Sequence, residues 1–214
     1  MFPRSIQLRA RALAERIVRP LARRGVTPNA ITIAGFLFNV IVAVVIATGH
    51  LTIGGALLFL AGLFDMLDGA LARVTSRQTD FGAFLDSLLD RYSEAAVLLA
   101  LIFQFTIRHE TFAVLLVYVV AVGSILISYA RARAEGLGLE AKVGIAPRPE
   151  RVLILGIGLL FPQAATIVAL IILAVLTHIT AMQRLYAVWN QTRKGSTKSE
   201  SGKQKRNTAE SQST

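Results

Sequence analysis

The chain has 214 residues, 54% of them hydrophobic, with a mean hydropathy of +0.57 and a formal net charge of +10. This excludes an ordinary soluble domain and points to a polytopic membrane protein with basic surfaces. The absence of cysteine also excludes disulfides and thiolate metal sites.

At the N-terminus Ile6, Ala10, Leu13, Ile17 and Leu21 recur at helical spacing, with Arg9, Arg16 and Arg23 on a neighbouring stripe. The pattern predicts an amphipathic helix in residues 1–26, lying on the cytoplasmic interface where its arginines meet anionic headgroups. Arginines interrupt every apolar run before Ala30, so no cleavable signal peptide is expected. Thr27-Pro28-Asn29 then has the composition of a helix start, a capping threonine followed by proline at the first helical position.

Apolar stretches follow at Ala30–Thr48, Leu51–Phe64, Ala83–Ile107, Thr111–Ala130, Val152–Phe161 and Ala164–Met182. A hydrocarbon core takes about 20 helical residues to cross, which the first, third, fourth and sixth stretches supply by themselves. The second suffices only if its helix continues past Asp65 to Arg73, which would carry acids to membrane depth. The fifth, between Pro149 and Pro162, spans roughly 20 Å and is either shielded in the bundle or kinked through Pro162. The expectation is an all-α domain of six transmembrane helices over residues 27–189. Arginine and lysine crowd the N-terminus and the second and fourth connections, whereas the first, third and fifth contain only Arg108. By the positive-inside rule both termini and the two basic connections are cytoplasmic. From Asn190 onward Lys, Ser, Thr, Gln and Gly predominate, which predicts a disordered cytoplasmic tail.

All five aspartates fall between residues 65 and 90. Asp65 and Asp68 are three apart, Asp86 and Asp90 four apart, so each pair projects from one helical face. A short connection through Thr75–Thr79 predicts antiparallel neighbours that bring the pairs together. Intramembrane acids are functional by default, and four converging carboxylates suit hard divalent cations such as Mg²⁺ or Mn²⁺. Gly69 and Gly82 clear space beside them, and Arg73 offers a fork for phosphate oxygens. Asp80 lacks the spacing and is expected in a solvated loop.

These residues resemble the signature of the CDP-alcohol phosphotransferase family, D-x-x-D-G-x-x-A-R, eight residues, then G-x-x-x-D-x-x-x-D. Asp65, Asp68, Gly69, Ala72, Arg73, Gly82, Asp86 and Asp90 occupy its fixed positions. The resemblance implies a six-helix fold over roughly residues 1–187, usually dimeric, with Asp65, Asp68, Asp86 and Asp90 around two divalent ions. It further implies Gly69, Ala72 and Arg73 near the CDP group of a CDP-lipid, with Asn29 and Thr79 as further contacts. Asp90 is the candidate general base.

Ile127–Glu135, Arg148–Arg151 and Gln183-Arg184-Leu185 resemble the corresponding stretches of prokaryotic phosphatidylinositol-phosphate synthases and their archaeal-lipid relatives. That resemblance implies that Arg131, Arg151 and Arg184 hold the phosphate of inositol phosphate, although lysine is commoner there at the position of Arg131. Glu150 is expected to orient one of these arginines, whereas Arg133 and Arg148 are read as topological charge. The partners expected are a CDP-lipid, a phosphorylated polyol, membrane lipids and a second copy of the chain, and no nucleic acid. Glycerol 3-phosphate as acceptor stays open, because it too carries a phosphate. A cation channel or transporter stays open as well, but predicts acids spread along a path.

Overall fold

Local signals set where the helices begin and end. The computed structural model describes the backbone of residues 4–76 and 78–211 and the side chains of residues 14–76 and 78–193. Among the described residues there are seven helices and no strand: α1 (Arg4–Arg23), α2 (Pro28–Ala47), α3 (Leu51–Thr75), α4 (Asp80–Ile107), α5 (Thr111–Gly136), α6 (Arg148–Leu160) and α7 (Gln163–Ser211). Thr27 caps α2, its Oγ1 accepting from the Ala30 amide at 3.3 Å, and Pro28 stands where a missing N–H costs no helical bond. Thr79 caps α4 similarly, accepting from the Gly82 amide at 3.0 Å. α3 runs unbroken through Asp65 and Asp68 to Thr75, as spanning requires.

α2, α3, α5 and the α7 segment Gln163–Arg193 are each long and apolar enough to cross a membrane. α4 has 28 residues, but Asp80, Asp86, Asp90, Arg91 and Glu94 fall between its start and its middle turn. α6 has 13 residues, and it ends at extended Phe161, so the chain breaks before Pro162 instead of kinking through it. Neighbours shield this short helix. A Cβ on Gly55 of α3 would stand 2.8 Å from Leu159 Cβ and 3.0 Å from Gly156 O, so glycine is what lets the two backbones approach. On its other side the Thr166 hydroxyl of α7 donates to Gly158 O at 3.0 Å.

Packing closes six helices into a ring. α2 lies against α3 and α4, α3 against α6, α6 against α7, α7 against α5, and α5 against α4, while α1 packs outside on α3. Val42, Ile46, Leu101, Phe105, Val117, Leu159 and Leu170 fill its apolar interior. The expected pairing of α3 with α4 does not occur: the two helices lean on α2 and not on each other. Both present carboxylates to the intervening gap, and like charges at helix-contact distance repel. The gap is the site.

Against the bundle α1 uses Leu21 of the expected stripe together with residues beside that stripe. Ala14 and Val18 are buried against Ile31, Ala70 and Leu71, whereas Ile17 is 49% exposed. The side chains of Ile6, Arg9, Ala10 and Leu13 lie outside the described residues. At the other terminus, Asn190 falls inside α7. Gln191 donates to Glu140 O at 2.6 Å and accepts from Glu140 N at 3.1 Å, tying that turn to the connection between α5 and α6.

Candidate active site

One helical turn separates Asp65 from Asp68 on α3, and Asp86 from Asp90 on α4. Asp86 is close enough to repel Asp65 and Asp68 across the gap and Asp90 on its own helix, and Asp65 acts on Asp68 beside it and on Asp90 across the gap. Asp68 is 8% exposed, and its Oδ2 lies 3.1 Å from the Thr32 hydroxyl of α2. Arg148, the first residue of α6, reaches between the pairs: its Nη1 contacts Asp65 Oδ2 and also Asp90 Oδ1, the latter at 2.6 Å. Asp90 has a looser contact with Arg91 at 3.6 Å. Among the described residues Asp86 forms no ion pair. Asp80 is exposed as expected, but it opens α4 and so belongs to a first turn that favours negative charge.

The donor set fits hard divalent ions in type and number, being all oxygen and drawn from two facing helices. Among the described residues, however, no three of these side chains surround a common point closely enough to form a closed metal shell. The Arg148 guanidinium stands between Asp65 and Asp90 instead.

Two cavities flank the acids. The first, about 210 Å³, is lined by Asn29, Gly69, Ala72, Thr79 and Gly82 together with Asp68 and Asp86. Four of the five residues expected near CDP therefore share one wall. The fifth, Arg73, is exposed beside it, with Nη1 3.5 Å from where a Gly69 Cβ would stand. Gly82 has a steric reason to be glycine: its Cβ would lie 3.0 Å from both Asn29 Oδ1 and Thr79 Oγ1. Thr79 serves the fold too, since its hydroxyl caps α4, a contact worth about 1 kcal/mol.

The second cavity, about 480 Å³, is walled by Arg131, Arg148, Arg151 and Arg184, with Asp86 and Asp90 at its edge. Arg151 is 4% exposed. Its Nε and Nη2 each donate to Glu94 at 2.8 Å, and its Nη1 donates to Ala146 O at 3.1 Å. Arg184, 6% exposed, donates from Nε to Val143 O at 3.0 Å and from Nη1 to Ile127 O at 2.6 Å. Arg131 is exposed and pairs with Glu135 at 2.9 Å. A guanidinium has five N–H donors, so Arg151 and Arg184 keep donors for a ligand while their planes are fixed.

Two expectations about charge need correction. Arg148 is not merely topological, since its side chain is 19% exposed and bridges two acids. Nor does Glu150 orient an arginine: its buried Oε2 has no hydrogen-bond partner among the described residues. Glu94 fills that role. A signal for Glu94 was present, because Asp86, Asp90 and Glu94 continue one helical face at four-residue intervals. Arg148 was also detectable, as a cation in a first helical turn opposes the helix dipole and so needs another reason to be there.

A third cavity, about 490 Å³, is lined by Phe59, Leu63, Met66, Val152 and Leu153, with Asp65, Asp90 and Arg148 at one end. An apolar groove thus reaches the acids from α3 and α6. A membrane helix ring with acids set between a small polar cleft, an apolar groove and a cationic cavity defines an integral membrane enzyme acting on phosphate esters of lipids.

The chain belongs to the CDP-alcohol phosphatidyltransferase family, whose profile matches residues 25–189. It is 40% identical over 188 residues to the archaetidylinositol phosphate synthase of Methanothermobacter thermautotrophicus, covering 85% of this chain and 93% of that one. The crystal structure of Mycobacterium tuberculosis phosphatidylinositol phosphate synthase with CDP-DAG bound superposes with a TM-score of 0.78 at 37% identity, covering 83% of this chain and 94% of that one. The same enzyme in complex with manganese and citrate gives a TM-score of 0.78 at 38% identity, over 82% and 88% of the two chains.

Proposed function

We propose that this enzyme transfers the lipid-phosphate group of a CDP-linked lipid such as CDP-diacylglycerol to inositol phosphate, releasing CMP. The cytidine and its phosphates occupy the cleft of Asn29, Gly69, Ala72, Arg73 and Thr79. The acyl chains extend along the apolar groove, and the acceptor phosphate sits among Arg131, Arg151 and Arg184. Two chemically different cavities meet at Asp86, and that meeting carries the proposal. A phosphorus held by the first faces a hydroxyl held by the second.

Asp65, Asp68, Asp86 and Asp90 hold Mg²⁺ or Mn²⁺, two ions in all. Bound there, such ions polarise the pyrophosphate and stabilise the CMP leaving group. Asp90 takes the proton of the attacking hydroxyl as the new P–O bond forms at the β-phosphorus and the bond to CMP breaks. Residues 27–189 form the catalytic domain, whose six ring helices all cross the membrane, with α4 and α6 completing the set. The acids, both termini and the basic connections face the cytoplasm of the cell, α1 lies on that surface, the tail is a cytoplasmic extension, and the enzyme works as a homodimer.

The acceptor assignment is tested by steady-state kinetics on Arg131→Ala, Arg184→Ala and Glu94→Gln. Each arginine loss should raise the inositol phosphate KM by roughly one to two orders of magnitude, matching about 1.5–3 kcal/mol for a charged hydrogen bond. Glu94→Gln should do likewise by loosening Arg151, whereas Arg151→Ala strands a buried carboxylate and should cost stability by roughly 3–5 kcal/mol. The KM for CDP-lipid should stay within a few-fold. An acceptor KM unmoved in all three variants would remove the phosphate from this cavity.

A further inference from the structure

Among the described residues Arg148 alone lines the apolar groove, the cationic cavity and a further small cavity of about 30 Å³ bordered by Asn39, Ser93, Glu94 and Arg151. It comes from α6, yet its single Nη1 joins Asp65 of α3 to Asp90 of α4, two helices that do not touch. Its Nε is buried without a hydrogen-bond partner among the described residues, and its ion pairs there are those with Asp65 and Asp90, while Asp86 and Glu94 attract it from farther away. Pro147 and Pro149 on either side restrict the backbone, leaving side-chain rotation as the easy motion.

We propose that Arg148 is a positioning residue that competes with divalent ions for Asp65 and Asp90 and, once displaced, turns to the acceptor phosphate in the cationic cavity. The proposal rests on the metal-ligand role given above to the aspartates. The Arg148 guanidinium stands between Asp65 and Asp90, where a dication shared by these acids would sit, and the like charges of the two repel at that distance, so each weakens the binding of the other. The arginine therefore keeps the repelling acids together before the ions bind. Its release couples metal loading to acceptor binding, since Arg148 already stands in the wall of the acceptor cavity but its Nη1 is free for the acceptor phosphate only after the ions have taken the acids. Apparent metal affinity is then the intrinsic affinity reduced by the fraction of molecules in which Arg148 has let go.

The test is Mn²⁺ titration of the purified full-length protein in detergent, with free Mn²⁺ read by electron paramagnetic resonance. Wild type, Asp65→Asn, Arg148→Gln and Arg148→Lys are compared. Wild type should bind saturably and Asp65→Asn should lose that binding. Arg148→Gln should bind Mn²⁺ at least about fivefold more tightly, and Arg148→Lys, which keeps a charge but not the planar fork, should fall between. In the same preparations Arg148→Gln should raise the inositol phosphate KM about tenfold. A merely structural loss would weaken both. If Arg148→Gln is not folded by size-exclusion chromatography, tightening in Arg148→Lys carries the same test. Mn²⁺ affinity equal to or below wild type in the folded variant overturns the competition while the metal role stands, and an unchanged acceptor KM overturns the coupling. A wild type that binds no Mn²⁺ overturns the metal role and the competition together.

Discussion

Asp86→Asn is expected to lower CMP release at least about a hundredfold while leaving the protein in EDTA as stable as wild type or more so. Asp86 borders both the cleft proposed for CDP and the cavity proposed for the acceptor, and among the described residues it forms no ion pair. It repels Asp65, Asp68 and Asp90. Neutralising it removes the cost of burying its charge together with that repulsion, which outweigh the attraction of Arg148 and Arg91, so a stability gain with a loss of function is the signature of a carboxylate kept for a ligand. The loss follows from removing one oxygen ligand of the ions, and a hundredfold corresponds to about 2.7 kcal/mol of transition-state stabilisation. Asp65→Asn and Asp68→Asn should lose activity similarly. Asp65→Asn should not gain stability in the same way, because Asp65 has Arg148 as an ion-pair partner. Radiolabelled CMP release, with thermal melts in EDTA, checks both halves. Activity within a few-fold of wild type for all three variants would end the metal assignment.

Asp90→Asn should abolish turnover, by roughly two to four orders of magnitude for a lost general base, while CDP-lipid still binds. The geometry separates the two effects. Asp90 lines the cationic cavity and the apolar groove, but not the cleft of Asn29, Gly69 and Gly82. Its loss should therefore fall on kcat and leave the CDP-lipid dissociation constant within a few-fold. Comparable turnover in Asp90→Asn would place the proton elsewhere.

Much of the site was legible because helical spacing is written directly in sequence. Asp65 with Asp68 and Asp86 with Asp90 had to share faces, and the fixed glycines and Arg73 named the family before any coordinates. The caps at Thr27 and the unbroken helix through Asp65 followed from equally local chemistry. What escaped the sequence was what depends on a third element. That α3 and α4 stand apart on α2 is a property of the ring, and a short connection alone suggested contact. Thr32 reaches Asp68 only because α2 runs beneath that gap. Glu94 and Arg151 are far apart in sequence and meet through the packing of α6, so the buried fork could not be read from either helix. Positive-inside bias explains any arginine near a helix end, so by sequence Arg148 reads as topological charge, whereas its contacts with two acids appear only in three dimensions.

The acceptor and the lipid formed define what the enzyme does in the membrane. Purified protein incubated with CDP-diacylglycerol, Mg²⁺ and, in parallel, inositol phosphate, glycerol 3-phosphate or free inositol gives the most direct test, with the lipid product identified by mass spectrometry. The expected result is phosphatidylinositol phosphate with stoichiometric CMP from the first mixture and little product from the others, all of it abolished by EDTA. Equal use of free inositol, or phosphatidylglycerol phosphate as the main product, would contradict the account.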